Sequence, residues 1–149
     1  MTCPLCSASE ESVVWRDGSC RVISVRDPDY AGYCRVIWNA HVAEMTDLSQ
    51  PERDRFLDVV LATEATLRRL LRPDKINLAS FGNVVPHLHW HVIPRFGDDR
   101  HFPEPVWGTA QREGIRRESP SIEALAAGMA AALSDRSTPG RGDPQQPEE

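Results

Sequence analysis

Runs of alternating and β-branched residues punctuate the first forty positions. Val13-Val14-Trp15-Arg16 predicts a short strand, Asp17-Gly18 a turn of the kind that joins hairpin strands, and residues 20 to 25 the returning strand. Asp27-Pro28-Asp29 marks a loop, and residues 33 to 38, rich in aromatic and β-branched types, predict a third strand. The periodicity then changes. Ser49 and Glu52 stand at capping-box spacing with Pro51 in the first turn, and Phe56, Val59, Val60, Thr63, Leu67, Leu70 and Leu71 recur as one helical stripe until Pro73. Residues 75 to 80 and 87 to 93 predict a fourth and a fifth strand. Strands, one long helix and further strands give an α+β class with a five-stranded antiparallel sheet.

Past Arg95 the pattern fades. Residues 96 to 118 are polar and irregular, and Ser119-Pro120 opens a short Ala-rich helix to about Leu133. Three segments are expected: a domain over 1–118, a C-terminal helix over 119–134, and a tail over 135–149 with too little apolar surface to fold. A chain of 149 residues can bury one real core.

Charge and composition narrow the partners. The net charge is −5 and the basic residues are scattered, so no field for nucleic acid backbone is expected. No secretory signal and no membrane-length apolar run is visible, which predicts a cytoplasmic protein with no membrane partner. In that setting the four cysteines, Cys3, Cys6, Cys20 and Cys34, are expected to be free thiols or metal ligands. Cys20 and Cys34 sit in apolar runs and read as buried small hydrophobes. Cys3-Pro4-Leu5-Cys6 has the spacing of half a tetrahedral zinc site and needs two more ligands.

The chemistry concentrates in His87-Leu88-His89-Trp90-His91. Alternation along a strand would put the three imidazoles on one face, about 6.6 Å apart, with Leu88, Trp90 and Val92 on the other. An imidazole there could attack phosphorus covalently, its neighbours holding the phosphate oxygens. Alternatively, two strand histidines could hold zinc that activates water. Spacing alone leaves both open.

The stretch from Gly82 through Arg95 resembles the signature of the histidine-triad (HIT) superfamily, whose pattern His-x-His-x-His followed by two apolar residues is met at every position. The resemblance covers roughly residues 3 to 95 and extends to bacterial members described as diadenosine tetraphosphate hydrolases. It implies a HIT-like fold and nucleotidyl transfer through a nucleotidyl-histidine intermediate. The substrates implied are dinucleoside polyphosphates or nucleoside phosphoramidates. His89 is then the nucleophile, His91 the contact to phosphate and leaving group, and His87 an orienting residue. Asn77, Gly82 and Asn83 match family positions near the phosphate, and Asp27 matches an acidic residue that holds ribose hydroxyls.

In some relatives a CxxC joins two histidines around zinc; the matching set here is Cys3, Cys6, His41 and His87. A homodimer with sheets joined across its interface is also implied. Two departures stand out. Val84 occupies a position where many members carry a hydroxyl, and Ile37-Trp38-Asn39-Ala40-His41 lacks the usual basic neighbour of the histidine. A nucleotide-binding regulator with little turnover is therefore the alternative. Elsewhere, Arg95 reads as a phosphate contact or a surface charge, His101 as a solvated loop residue, and Trp107 as packing, with a base-stacking or dimer role suggested by the family resemblance.

Overall fold

The computed structural model describes residues 2 to 136. Its order is β1 (Ser12–Arg16), β2 (Cys20–Ser24), β3 (Cys34–Trp38), α1 (Gln50–Leu71), β4 (Lys75–Ala79), β5 (His89–Arg95) and α2 (Ile122–Arg136), with a 3₁₀ turn at Met45–Asp47 before α1. The strands form one antiparallel sheet in the order β1-β2-β3-β5-β4, so β5 lies between β3 and β4.

Register sorts the side chains of the sheet. Cys34 and Val36 pair with Val92 and Trp90 on one face, while Arg35 and Ile37 pair with His91 and His89 on the other. The first face is apolar and buried. Val22, Val36, Leu88 and Val92 pack there with Phe56, Val59, Val60 and Leu67 of α1. The helix starts where expected: Ser49 accepts from the Glu52 N–H, and Glu52 accepts from the Ser49 N–H at 2.8 Å. It ends at Arg72, which turns left-handed at φ 47° just ahead of Pro73.

The helical stripe needs one correction. Leu70 is 38% exposed, and the apolar face turns instead through Ala62 and Thr66. That second face meets α2, whose Leu125 and Met129 are buried in the same core. At Gly128 an added Cβ would lie 2.4 Å from Thr66 Cγ2, so the absence of a side chain sets how closely the helices approach. α2 also runs to Arg136, past the expected end near Leu133, so positions 135 and 136 are helical rather than part of a tail. The rest of that expected tail, 137–149, lies outside the described residues.

The segment after β5 has no regular structure but is firmly tied. Arg95 and Asp99 form a buried ion pair at 2.8 Å, and Arg95 also donates to Asn77 Oδ1 and the Glu104 carbonyl. Asp99 accepts further from the N–H groups of Phe96, His101 and Phe102. Burial alone would raise the Asp99 carboxyl. Arg95 and the N–H donors of Phe96 and Phe102 outweigh it and hold the group at about 2. Arg95 is thus a structural hub, not a surface charge. His101 is half-buried, its Nδ1 against the Tyr30 hydroxyl.

Candidate active site and metal-ligand cluster

The uncovered face of the sheet carries the site. His89 and His91 project from β5 into a cavity of about 700 Å³. Its walls are Arg35 of β3, Pro4 and Leu5 of the N-terminal loop, the β4–β5 loop from Phe81 to Val85, and Pro105, Trp107 and Gly108. Arg95 and Asp99 fix the segment that brings Trp107 there. Trp107 is half exposed and packs edge-on against Phe81 and His91, 4.9 Å from each between ring centroids.

Each imidazole has a defined role in hydrogen bonding. His89 Nδ1 lies 2.6 Å from the His87 carbonyl, which only accepts, so the neutral ring carries its proton on Nδ1 and its lone pair on Nε2. His91 Nδ1 lies 2.6 Å from the Tyr33 hydroxyl, with the two rings stacked. Burial, His89 and Arg35 push His91 down to about 4, so it is neutral at physiological pH.

His87 departs from the strand reading. β5 begins at His89, two residues later than expected, because the chain turns at Pro86 and the His87 N–H bonds the Val85 carbonyl. The His87 ring does not line the cavity. Its Nε2 donates to the Trp38 carbonyl at 2.6 Å, leaving Nδ1 bare toward Cys3 Sγ (3.3 Å), Cys6 Sγ (3.4 Å) and His41 Nδ1 (3.3 Å). Cys6 Sγ is also 3.3 Å from His41 Nδ1. Burial lowers His87 despite the Trp38 hydrogen bond that opposes it.

These four side chains place one donor atom each within 4.8 Å of one another. Zn–N bonds of about 2.05 Å and Zn–S bonds of about 2.3 Å at tetrahedral angles give ligand–ligand edges of about 3.3–3.8 Å. The separations around His87 and His41 match those edges. The Trp38 carbonyl behind His87 is the kind of outer partner that fixes a ligating tautomer. The donor set therefore fits a tetrahedral divalent ion such as zinc.

The remaining expected site residues divide. Gly82, at φ +88°, and Asn83 line the cavity, as does Val84, which is 93% exposed at its mouth. Asn77 stands on the histidine face of β4, its Oδ1 accepting from Arg95, and does not line the cavity. Asp27 does not line the cavity. Its carboxylate accepts from the Asp29 N–H at 2.8 Å, an Asx turn, and it borders a separate hollow with Arg117 and Ser119. Phe81 of the β4–β5 loop was missed in the sequence, as were Tyr33, just ahead of β3, and Arg35 of β3. The alternation of the latter two with Ile37 on a strand next to the histidines was the available signal. Cys20 and Cys34 are buried, their thiols pushed up to about 12 by desolvation, as small core residues should be.

A family model described as the HIT domain matches residues 7–98. The chain belongs to the HIT family. Among curated relatives, proteins named AP-4-A phosphorylase from two strains of Mycobacterium tuberculosis are 26% identical over 88 residues, 55% of this chain and 45% of theirs. The chain thus spans about half the length of the curated relatives it matches. Solved HIT structures share the fold. A histidine triad protein of Bradyrhizobium japonicum superposes at TM-score 0.65 with 22% identity, covering 82% of this chain and 91% of that one. A histidine triad family protein of Mycobacterium smegmatis, described as Zn-bound, gives TM-score 0.55 with 22% identity, covering 91% and 96%. HIT proteins handle nucleotides, and in this chain two histidines of that family's motif line a cavity of about 700 Å³.

Proposed function

We propose that this HIT protein cleaves nucleotides at the α-phosphorus through a nucleotidyl intermediate on His89. One observation carries the reading: His89 Nδ1 is committed to the His87 carbonyl, so Nε2 enters the cavity as a free nucleophile. Its lone pair forms the N–P bond as the bond from phosphorus to the leaving oxygen breaks. A phosphate leaving group departs as an anion and needs no general acid; with a phosphoramidate the P–N bond breaks instead, and the amine leaves with a proton taken from solvent. His91 is neutral; with its Nδ1 accepting a hydrogen bond from the Tyr33 O–H, its Nε2–H would stabilise a phosphoryl oxygen. Water then attacks phosphorus, the N–P bond breaks, and a nucleoside monophosphate leaves with the water proton released to solvent. Inorganic phosphate in place of water would give a nucleoside diphosphate, an outcome the phosphorylase relatives make worth assaying.

Dinucleoside polyphosphates and nucleoside phosphoramidates are the substrate classes proposed. Zinc on Cys3, Cys6, His41 and His87 would hold the N-terminal loop against the cavity and has no part in the phosphoryl chemistry; the donor geometry and the Zn-bound relative support it. A homodimer is also proposed, since β4 ends the sheet with Leu78 exposed on it. The HIT fold without a helix long and apolar enough to cross a membrane among the described residues is compatible with the cytoplasmic setting proposed.

The alternative, a nucleotide binder with little turnover, draws on Val84, which offers the phosphate no hydroxyl. The test is turnover of diadenosine and diguanosine polyphosphates and adenosine phosphoramidates by the wild-type chain and His89→Asn. Activity in the wild type that falls by several orders of magnitude in the variant supports the reading. Binding without product supports the alternative.

A further inference from the structure

Because β5 lies between β3 and β4, the cavity has two sides, with His89 and His91 between them. On the β4 side stand Phe81 and Trp107, edge-on to one another. On the β3 side stand Arg35, Pro4 and Leu5. Arg35 is the one charged residue among the described residues lining the cavity. Its Cα is paired with that of His91, and its guanidinium lies 5.9 Å above the Tyr33 ring. No carboxylate pairs with it among the described residues, in contrast to Arg21, Arg55 and Arg95, each held by an acid. Its Nε is buried and has no hydrogen-bond partner. A buried donor left unmade is costly, and a guanidinium offers donors only, in a planar fork.

We propose that Arg35 is a specificity-determining residue that reads the substrate group on the β3 side of the reacting phosphorus, and that this group offers hydrogen-bond acceptors only. Two sources share that chemistry. One is a further phosphoryl group beyond the reacting one; the other is the O6/N7 edge of guanine, which a guanidinium can engage with two hydrogen bonds. Adenine presents an amino donor beside N7 and fits the fork poorly. Stacking alone, on the Phe81 and Trp107 side, would not discriminate among bases. The inference rests on the reading of His89 as the seat of the reacting phosphorus.

Calorimetric titration of the full chain with AMP, GMP and α,β-methylene-ADP, which resists cleavage, tests it. In the wild type, either the guanine or the second phosphoryl group should tighten binding about tenfold or more relative to AMP. Arg35→Gln should abolish that gain, so that GMP or α,β-methylene-ADP binds no more tightly than AMP. Arg35→Lys, a point charge without the fork, should keep a gain due to phosphate and lose one due to guanine. The unaltered chain gives a second readout: the Arg35 Nε–H NMR signal should move with the preferred ligand and stay in place with AMP, which keeps the test independent of whether Arg35→Gln folds. The proposal is overturned if the wild type binds all three equally, or if a folded Arg35→Gln keeps the wild-type ratios. Failure of any nucleotide to bind the wild type overturns the proposed function itself, and this inference with it.

Discussion

His87 carbonyl oxygen and His89 Nδ1, 2.6 Å apart, join the metal-ligand cluster to the candidate nucleophile through one residue. The His87 ring faces Cys3, Cys6 and His41, while its backbone orients His89. Pro4 and Leu5, between the two cysteines, complete a wall of the cavity. The triad is therefore divided, with one histidine turned to the cysteines and two in the cavity.

The first prediction concerns the metal. Chain purified without chelator should contain about one zinc per molecule, and Cys6→Ser should lose it together with several degrees of thermal stability. Elemental analysis beside a melting curve decides it. A metal-free wild type that melts at the same temperature after zinc is added would contradict the site.

Tyr33 should matter for rate more than for binding. Tyr33→Phe removes the O–H that holds His91 Nδ1. A lost hydrogen bond of this kind is worth about 1 kcal/mol, so kcat should fall about five- to tenfold with KM little changed. Steady-state kinetics separate the two; a change confined to KM would assign Tyr33 to binding.

The Arg95–Asp99 pair sets an acid limit. Asp99 is held at about 2, below the ordinary carboxylate value, so its contribution is complete above that ordinary value and lost as pH falls toward 2. Urea unfolding between pH 5 and 2 should show the loss. Asp99→Asn should cost about 3–5 kcal/mol, since it leaves Arg95 buried and unpaired, and should flatten the acid dependence. An unchanged pH dependence in the variant would assign the acid loss elsewhere.

Leu125 tests whether α2 belongs to the domain. Its side chain is buried beside Phe56 and Val59 of α1 in one cluster. Leu125→Ala should destabilise the chain by about 2–5 kcal/mol in a single unfolding transition. A cost under 1 kcal/mol would mean that the helix is an appendage.

Much of this was legible in the sequence, and the gaps have physical causes. Hydrophobic alternation placed all five strands, and the Ser49–Glu52 box placed the start of α1 to the residue. The second face of α1 was hidden because Thr66 is polar by type, and its burial depends on the close approach of α2 at Gly128. His87 was drawn into the strand because alternation carries no information about the turn at Pro86. Tyr33 and Arg35 escaped notice because their importance depends on β3 lying beside β5, and a single sequence does not state strand order. Arg95 could be read as solvated only because Asp99, its i+4 partner in a segment without regular structure, gave no periodic signal.

The covalent step is the center of the account. Mass spectrometry of the chain mixed briefly with a dinucleoside polyphosphate and quenched at alkaline pH, where a phosphoramidate survives, measures it directly. The wild type should gain the mass of one nucleoside monophosphoryl group, mapped to the peptide holding His89 and released by acid, and His89→Gly should gain none. Turnover without any such adduct, or an adduct that persists in His89→Gly, would contradict the assignment of His89 as the nucleophile.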